Sequence, residues 1–423
     1  MNRFILFLVG FGVARCALFF SQIILANLVS VELYGRLELT QSVAVLCALI
    51  IGLGLPASVP LVLLRDEVKA RWDTGLLLTG VIAVLLLFVS AIAALSSDTI
   101  TSFFVLIPLA TAALLLQGLW ATVLKAKGKS TMAVSLEAGF WVTILLGGAL
   151  IVWGVGHQSI LVAVLAIYAA LLLLWTIRAY YDIRMPFDLA DLRENLRVSL
   201  PLMVIGLLSV LAVYSSRIIL GTFSNLEVLG LYAILFRATA VPLVGHQLLI
   251  IGLFPKLFSW DEAILKQRAV VIPLGVTVFA LAFWLLVDQF GAVLGDRFAE
   301  VFVQHRVTAL LILSQTVLWS AIALNDLLNS RLQIAGRVAW YAAAFLLISL
   351  PILAFVTVRS NTDGNVGSTL MTFAVWHSAL MLGFYLTQCI AIWRNGHRYT
   401  LLWLSALGGY AALLVLFLFR EFT

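Results

Sequence analysis

Long apolar runs recur along the whole chain, and each is long enough to cross a lipid bilayer as a helix. Crossing the hydrocarbon core takes about 20 apolar residues. Apolar residues make up 63% of the 423-residue chain and charged residues 11%, whereas soluble domains have roughly 45–50% and about 25%. A soluble interior has no room for so much apolar surface. The chain is therefore predicted to be an all-α polytopic membrane protein.

The runs and the polar breaks between them predict about thirteen transmembrane helices. They lie near residues 8–29, 38–64, 74–95, 100–124, 131–153, 160–178, 199–222, 229–254, 270–290, 307–328, 338–358, 368–393 and 399–419. The first run, after one arginine, continues to a polar turn without small residues at a cleavage site. Because a signal peptide would show such a site, this run is predicted to be a retained first helix.

Basic residues alternate between the two sets of predicted loops. The set that includes the N-terminus carries 18 of the 26 Lys and Arg residues and the other set carries 5, while three lie inside helices. Short cytoplasmic loops are enriched in Lys and Arg. The N-terminus is therefore predicted to be cytoplasmic and the C-terminus external. The net charge of +6 is explained by this orientation and does not indicate a nucleic-acid partner.

The longest stretch that does not span the membrane divides the chain in two. Asp188 can cap a short helix there, on which Leu189, Leu192 and Leu196 share one face. This pattern is typical of a helix in the membrane interface. We predict an N-terminal bundle of six spans at 1–180, a cytoplasmic interfacial linker at 181–198 and a C-terminal bundle of seven spans at 199–423.

The two predicted bundles share a sequence repeat at an offset of 195 residues. Residues 21–35 align with residues 216–230 without gaps, and six of the fifteen positions are identical. The identical positions of the first copy are Ser21, Ile23, Ile24, Leu25, Glu32 and Gly35. Both copies run from inside to outside in the predicted topology. The bundles would then be parallel repeats, a form that transporters commonly have.

The same segments carry a family resemblance. The run Ile24-Leu-Ala-Asn27-Leu-Val-Ser-Val-Glu32-Leu-Tyr34-Gly35 resembles the exit of the first helix in bacterial polysaccharide flippases. The second copy is similar, and it is followed by Pro242 and by Phe254-Pro255. The segment Leu196-Arg-Val-Ser-Leu-Pro201-Leu resembles the entry to that family's seventh helix. The chain thus resembles the O-antigen flippases of the multidrug/oligosaccharidyl-lipid/polysaccharide exporter superfamily.

This resemblance implies a flippase in the bacterial inner membrane. Its substrate would be a polyprenyl-diphosphate-linked oligosaccharide, moved from the cytoplasmic to the periplasmic leaflet by alternating access. Membrane lipids would surround the chain, and polysaccharide-assembly proteins are candidate partners. Asn27 stands where the family often has arginine, and Ser216 where it often has an acid before Arg217.

Two arginines inside predicted helices are the leading candidates for binding such a substrate. Arg237 lies about 13 Å from the outer end of its helix, at about 1.5 Å per residue, near the midplane of a roughly 30 Å core. Arg217 lies about as far from the same turn, on the preceding helix. Two guanidinium groups suit a diphosphate, which accepts paired hydrogen bonds. The alternatives are structural pairing for Arg237 and interfacial snorkelling for Arg217.

Further polar residues in predicted helices complete the candidate site. Arg15 lies on the cytoplasmic side of the first helix, and Glu137 lies about two turns into the fifth. Glu137 either pairs with an arginine or carries a coupling proton, and pairing is favoured because buried charges are usually compensated. Asn325 and Asp326 lie near the cytoplasmic end of the tenth helix. They are interpreted first as a helix-end polar cluster and second as hydrogen-bonding partners of sugars.

The sequence shows no pattern for a cofactor, a metal or an enzyme. The three cysteines lie within apolar segments without ligand spacing, and no Ser-His-Asp arrangement or P-loop occurs. The first rival function is a membrane glycan polymerase or ligase, but the longest predicted outer loop, 359–367, has about nine residues, which is short for a catalytic region. The second rival is a small-molecule exporter of the same architecture.

Overall fold

The computed structural model describes residues 3–56, 72–96, 102–154, 159–183, 189–247, 260–332, 334–362 and 364–421. The ends of the predicted second and eighth helices, at 57–64 and 248–254, lie outside these ranges, as do Asp188 and the Phe254-Pro255 pair. All regular structure in the described ranges is helical.

The helices of the N-terminal part are α1 to α6. They are α1 Arg3–Leu28, α2 Val31–Ile51, α3 Trp72–Ser96, α4 Phe103–Ala126, α5 Ser130–Val152 and α6 Ser159–Ile183.

Ten further helices follow in the described ranges. They are α7 Leu189–Phe223, α8 Leu226–Thr239, α9 Val241–Gln247, α10 Glu262–Arg268, α11 Val271–Leu294, α12 Asp296–Gln304, α13 Arg306–Arg331, α14 Ala335–Asn361, α15 Val366–Arg394 and α16 Thr400–Glu421.

Twelve helices in the described ranges are long and apolar enough to cross a membrane. A thirteenth span results if α8 and α9 are taken together, since these two helices meet at an angle of 49°. This bent pair corresponds to the eighth predicted span. The prediction of an all-α membrane protein with about thirteen spans is therefore confirmed.

The second helix begins earlier than predicted, at Val31 instead of residue 38. The polar residues of its first turns had been assigned to a loop. In the structure Arg36 and Glu32 form an ion pair one turn apart, with 3.7 Å between nitrogen and oxygen. Such a pair stabilises a helix, and Glu32 also lies in the first turn, where the helix dipole favours an acid.

The seventh helix also differs from the prediction, because it runs unbroken for 35 residues and contains Pro201. Residues 189–198 of the predicted linker thus continue directly into the predicted span. No glycine precedes Gly206 in this helix, so the segment before Pro201 lacks the residue that most often ends a helix. The bundle boundaries at 180 and 199 remain a prediction.

The chain forms two compact units. Unit 1 comprises Met1–Ser30 and Leu37–Leu207, and unit 2 comprises Val31–Arg36 and Leu208–Thr423. In unit 1, α4 packs against α3, α5 and α6, and α1 packs against α5. Small buried side chains on α4, among them Ala110, Ala112 and Ala113, let these helices approach closely.

The centre of unit 2 is α13, which packs against α8, α11, α15 and α16. The short helix α12, which the sequence analysis did not predict, lies between α11 and α13 and buries Phe298, Val301 and Phe302. It is amphipathic and only nine residues long, so it lacks the apolar length by which spans are recognised.

Two glycines of the sequence repeat meet where α2 crosses α8 within unit 2. A Cβ added to Gly35 would lie 2.1 Å from the carbonyl oxygen of Leu226, and one added to Gly230 would lie 2.2 Å from that of Val31. Val31 corresponds to Leu226, and Gly35 to Gly230, at the offset of 195 residues. The two copies of the repeat therefore touch reciprocally, backbone against backbone.

Candidate functional site

An ion cluster in unit 1 joins three helices through Glu137. Arg15 of α1 donates from Nη2 to Glu137 Oε2 of α5 at 2.9 Å, and Lys125 of α4 pairs with Glu137 Oε1. The side chains of Arg15 and Glu137 are 13% and 25% exposed, and that of Lys125 is 49% exposed. One carboxylate thus serves two cations, and the cluster carries one excess positive charge.

Gln117 holds the backbone beside this cluster in place. Its Nε2 donates to the carbonyl oxygen of Glu137 at 3.1 Å. Its Oε1 accepts from the backbone N–H of Phe140 at 3.2 Å and from the hydroxyl of Tyr168 at 2.8 Å. One amide side chain of α4 therefore fixes α5 and α6 together. A polar network satisfied in this way rigidifies its surroundings, which positions the Glu137 carboxylate.

Arg15 retains a donor for a further acceptor. Its guanidinium lies over the ring of Phe11, 5.3 Å from the centroid, and its Nε is buried without a hydrogen-bond partner among the described residues. A buried donor without an acceptor is costly. An anion placed here would meet the half-exposed ammonium group of Lys125.

Asn27 of α1 makes a hydrogen bond within its own helix. Its Nδ2 donates to the carbonyl oxygen of Ile23 at 2.9 Å, one turn back in the same helix. The amide is thus engaged by its own helix in this conformation.

In unit 2, aromatic rings bring Arg217 and Arg237 together. The guanidinium of Arg217 lies 4.2 Å from the ring centroid of Phe236 and 5.2 Å from that of Tyr214. Arg237 lies 5.8 Å from the same Phe236 ring. Cation–π contacts of this kind stabilise a desolvated guanidinium. Both arginines therefore flank one aromatic side chain.

The two arginines differ in exposure. Arg217 is 2% exposed, so it reaches no open cavity in this conformation. Arg237 is half-buried and lies in the last turn of α8, just before the 49° bend into α9. A ligand entering at the bend would meet Arg237 before Arg217.

The predicted polar cluster of α13 forms a network inside unit 2. Asp326 Oδ2 accepts from the hydroxyl of Ser209 at 2.7 Å, and its Oδ1 accepts from Gln388 Nε2 at 2.9 Å. Asn325 Nδ2 lies 3.6 Å from the sulfur of Cys389. These contacts tie α13 to α7 and α15, as the interpretation as a helix-end polar cluster has it.

Sequence reasoning missed Lys125, Gln117, Ser209 and Gln388. Lys125 was counted among the loop cations that record orientation, although its chain position, near the end of α4, brings it to Glu137. The three uncharged residues gave no signal, because polar side chains are common in spans. Across the described residues, no three His, Cys, Asp or Glu side chains come together as a metal site would require.

Residues 2–260 match a protein family described as polysaccharide biosynthesis protein. The chain belongs to this family. The family agrees with the one that the motifs around Gly35 and Gly230 indicate. None of the curated proteins matches the chain in sequence.

A solved structure shares the fold of this chain. The lipid II flippase MurJ, in an inward closed conformation, is 13% identical with a TM-score of 0.58, and the match covers 99% of this chain and 100% of that one. This likeness shows the fold.

Two other solved structures are similar over most of their length. One is an inward-facing multidrug resistance MATE family transporter of the MOP superfamily, 14% identical with a TM-score of 0.49, covering 90% of this chain and 95% of that one. The other is a MOP superfamily transporter from Pyrococcus furiosus, 12% identical with a TM-score of 0.48, covering 93% and 95%.

Proposed function

We propose that this protein is a flippase for a polyprenyl-diphosphate-linked oligosaccharide, such as an O-antigen or another surface-polysaccharide repeat unit. It would move this lipid from the cytoplasmic to the periplasmic leaflet of a bacterial inner membrane by alternating access. Membership in the polysaccharide biosynthesis family and the transporter fold support the substrate class and the type of activity.

The ion cluster of unit 1 is the observation that carries this proposal. A carboxylate with two cations is a preorganised anion site, since the acid holds both cations in place while leaving one positive charge uncompensated. The two charged phosphates of a lipid diphosphate accept charge-assisted hydrogen bonds from such groups. Arg15 and Lys125 would bind the diphosphate, and Glu137 would position them.

Arg237 is proposed as a cationic contact of the substrate within unit 2, at the bend between α8 and α9. Arg217 would support it through the shared Phe236 ring, and it would meet the substrate only in a conformation that opens its surroundings. Asn27, Asn325 and Asp326 are proposed as partners of sugar hydroxyls. Each has a hydrogen bond within the protein, which it would exchange for one to the substrate.

The test is to find where the lipid-linked oligosaccharide accumulates in cells that carry charge variants. Lys125→Ala should slow surface glycan display and leave complete lipid-linked oligosaccharide in the cytoplasmic leaflet. The matched control is Lys127→Ala, which removes an exposed lysine from the end of the same helix and should leave display unchanged.

Two outcomes would overturn the proposal. Single repeat units on the outer leaflet would indicate a polymerase, since translocation would then precede the lost step. Normal glycan display in cells without the protein, combined with sensitivity to toxic solutes, would indicate a small-molecule exporter.

A further inference from the structure

Four helices of unit 2 meet at His377. The imidazole of this α15 residue is surrounded by Ala212 of α7, Tyr232 of α8 and Gln315 of α13. His377 is 2% exposed, Tyr232 is 0% exposed and Gln315 is 3% exposed. None of these residues has a part in the proposed substrate site. A titratable group at the junction of four helices is rare inside a membrane protein and usually functional.

Both ring nitrogens of His377 face oxygen atoms. Nδ1 lies 2.9 Å from Gln315 Oε1, and Nε2 lies 3.3 Å from the carbonyl oxygen of Ala212. The orientation of the Gln315 amide follows from its other end, where Nε2 donates to the carbonyl oxygen of Ala374 at 3.1 Å. A neutral imidazole has one N–H, so it can donate to only one of its two oxygens, whereas an imidazolium donates to both.

The hydrogen bonds around His377 depend on its protonation state. The Tyr232 hydroxyl lies 3.4 Å from both His377 Nδ1 and Gln315 Oε1, so it can donate a hydrogen bond to one of these two acceptors. The carbonyl oxygen of Ala212 also accepts from the Ser215 hydroxyl at 2.9 Å, so it stays paired when His377 does not donate. A ring protonated only at Nδ1 leaves Nε2 facing the carbonyl oxygen of Ala212 without a donor. A ring protonated only at Nε2 leaves either Nδ1 or Gln315 Oε1 without a donor, because Tyr232 has a single hydroxyl proton. The imidazolium pairs all of these atoms.

Arg217 of α7 is a positively charged neighbour of His377. Tyr232 on α8 is the other titratable group that touches it. On α13, Gln315 is uncharged, and Asp326 lies eleven residues further along, about 16 Å away at about 1.5 Å per residue. The charged residues of α14 are Arg337 and Arg359, near its two ends. Ser378, beside His377, bonds Tyr410 of α16.

We propose that His377 is a proton-binding site whose charge state sets the contacts among α7, α13 and α15. The neutral ring bonds α15 to one of the two neighbouring helices, and the imidazolium bonds it to both. The inference rests on the proposed function, because it takes the protein to be a transporter. In that transporter, His377 is the group through which a proton changes helix packing.

Solid-state NMR of ¹⁵N-histidine in lipid bilayers tests this site directly, on a chain whose His157, His246, His305 and His397 are replaced by Gln. At high pH the spectrum should show one protonated and one bare ring nitrogen, and on acidification both nitrogens should become protonated. Arg217→Gln should move the midpoint of this change to higher pH, since it removes an opposing positive charge. A chain with His305 as the sole histidine, outside the spans, is the control for exchange with bulk water.

The proposal would be overturned if the His377 ring stays in one neutral form over the whole pH range, both in the chain with His377 as its sole histidine and in the Arg217→Gln variant of that chain. If the fourfold replacement prevents folding, the difference spectrum between the native chain and His377→Gln gives the same signal. The spectrum needs no substrate. A titrating His377 in a protein that moves no lipid would therefore reject the proposed function and leave the proton site standing.

Discussion

Among single residues, Glu137 has the greatest effect on its surroundings because two cations share its carboxylate. Its partner Arg15 lies 122 positions away in the chain, so the sequence predicted that Glu137 would pair with an arginine but not which one. The contact is a matter of tertiary packing, as α1 and α5 lie side by side.

We predict that Arg15 and Glu137 are coupled in stability. In a double-mutant cycle with Arg15→Met and Glu137→Gln, the interaction energy should be about 1 kcal/mol, a value for partly exposed ion pairs. Thermal unfolding of the purified protein in detergent measures it. The control cycle pairs Arg15→Met with Lys127→Ala, which should show additive effects. Additive effects of Arg15→Met and Glu137→Gln would show that the ion pair does not stabilise the protein.

Exchanging the two charges separates stabilisation from binding. The variant with Arg15→Glu and Glu137→Arg should recover the stability that either single change loses, because the ion pair can reform. Its transport should remain low, since the positive charge no longer lies on α1 where the diphosphate would bind. A charge-exchanged protein with native transport rates would show that Arg15 has a structural role alone.

Arg237 is predicted to matter for transport and not for folding. Arg237→Ala should abolish transport while leaving the amount of folded protein unchanged. Arg237→Lys should retain part of the activity, because lysine keeps the charge but lacks the planar fork. Transport by each variant, normalised to membrane protein, is the measurement. Native rates for the Ala variant would leave Arg237 without a part in substrate binding.

Among the helices, the crossing of α2 and α8 is the contact with the least tolerance. The backbone carbonyls of Leu226 and Val31 lie where a Cβ on Gly35 or Gly230 would be, and backbone atoms cannot turn aside as a flexible side chain does. Close approach of helices through glycine is a common means of association in membranes.

Gly35→Ala and Gly230→Ala should each destabilise the protein by about 1–3 kcal/mol, the cost of overpacking. Gly118→Ala is the matched control, because nothing lies within 4 Å of the Cβ it would add inside α4. This control should be neutral or slightly stabilising, as alanine favours a helix more than glycine does. The unfolding temperatures of the three variants in detergent measure these effects. Native stability of both Gly35→Ala and Gly230→Ala would refute the close contact between α2 and α8.

The limits of prediction from sequence also appear at the level of helices. The apolar runs predicted the spans because burial in lipid depends on local composition. The start of α2 was placed at residue 38 because the first turns contain Glu32 and Arg36, whose pairing within the helix offsets their polarity. The junction at His377 gave no signal, since its three partner residues come from three other helices.

For the whole molecule, the distribution of basic residues predicts an odd number of spans and an external C-terminus. Reporter fusions after Lys129 and Arg398 should be active in the cytoplasm, and fusions after Gly367 and Thr423 should be active outside. The fusion at Thr423 is the decisive one. Cytoplasmic activity there would mean that α16 does not cross the membrane in the predicted direction.

The central claim is that this chain moves a lipid-linked glycan between leaflets, and a flipping assay with the purified protein tests it most directly. Liposomes containing the protein and a fluorescent polyprenyl-diphosphate oligosaccharide are treated with a reductant that bleaches only the outer leaflet. Without protein, about half of the fluorescence should survive, because half of the lipid faces the inside. With the protein, bleaching should approach completion, and Lys125→Ala should slow it while Lys127→Ala should not. Survival of half the fluorescence in liposomes that contain folded protein would contradict the account.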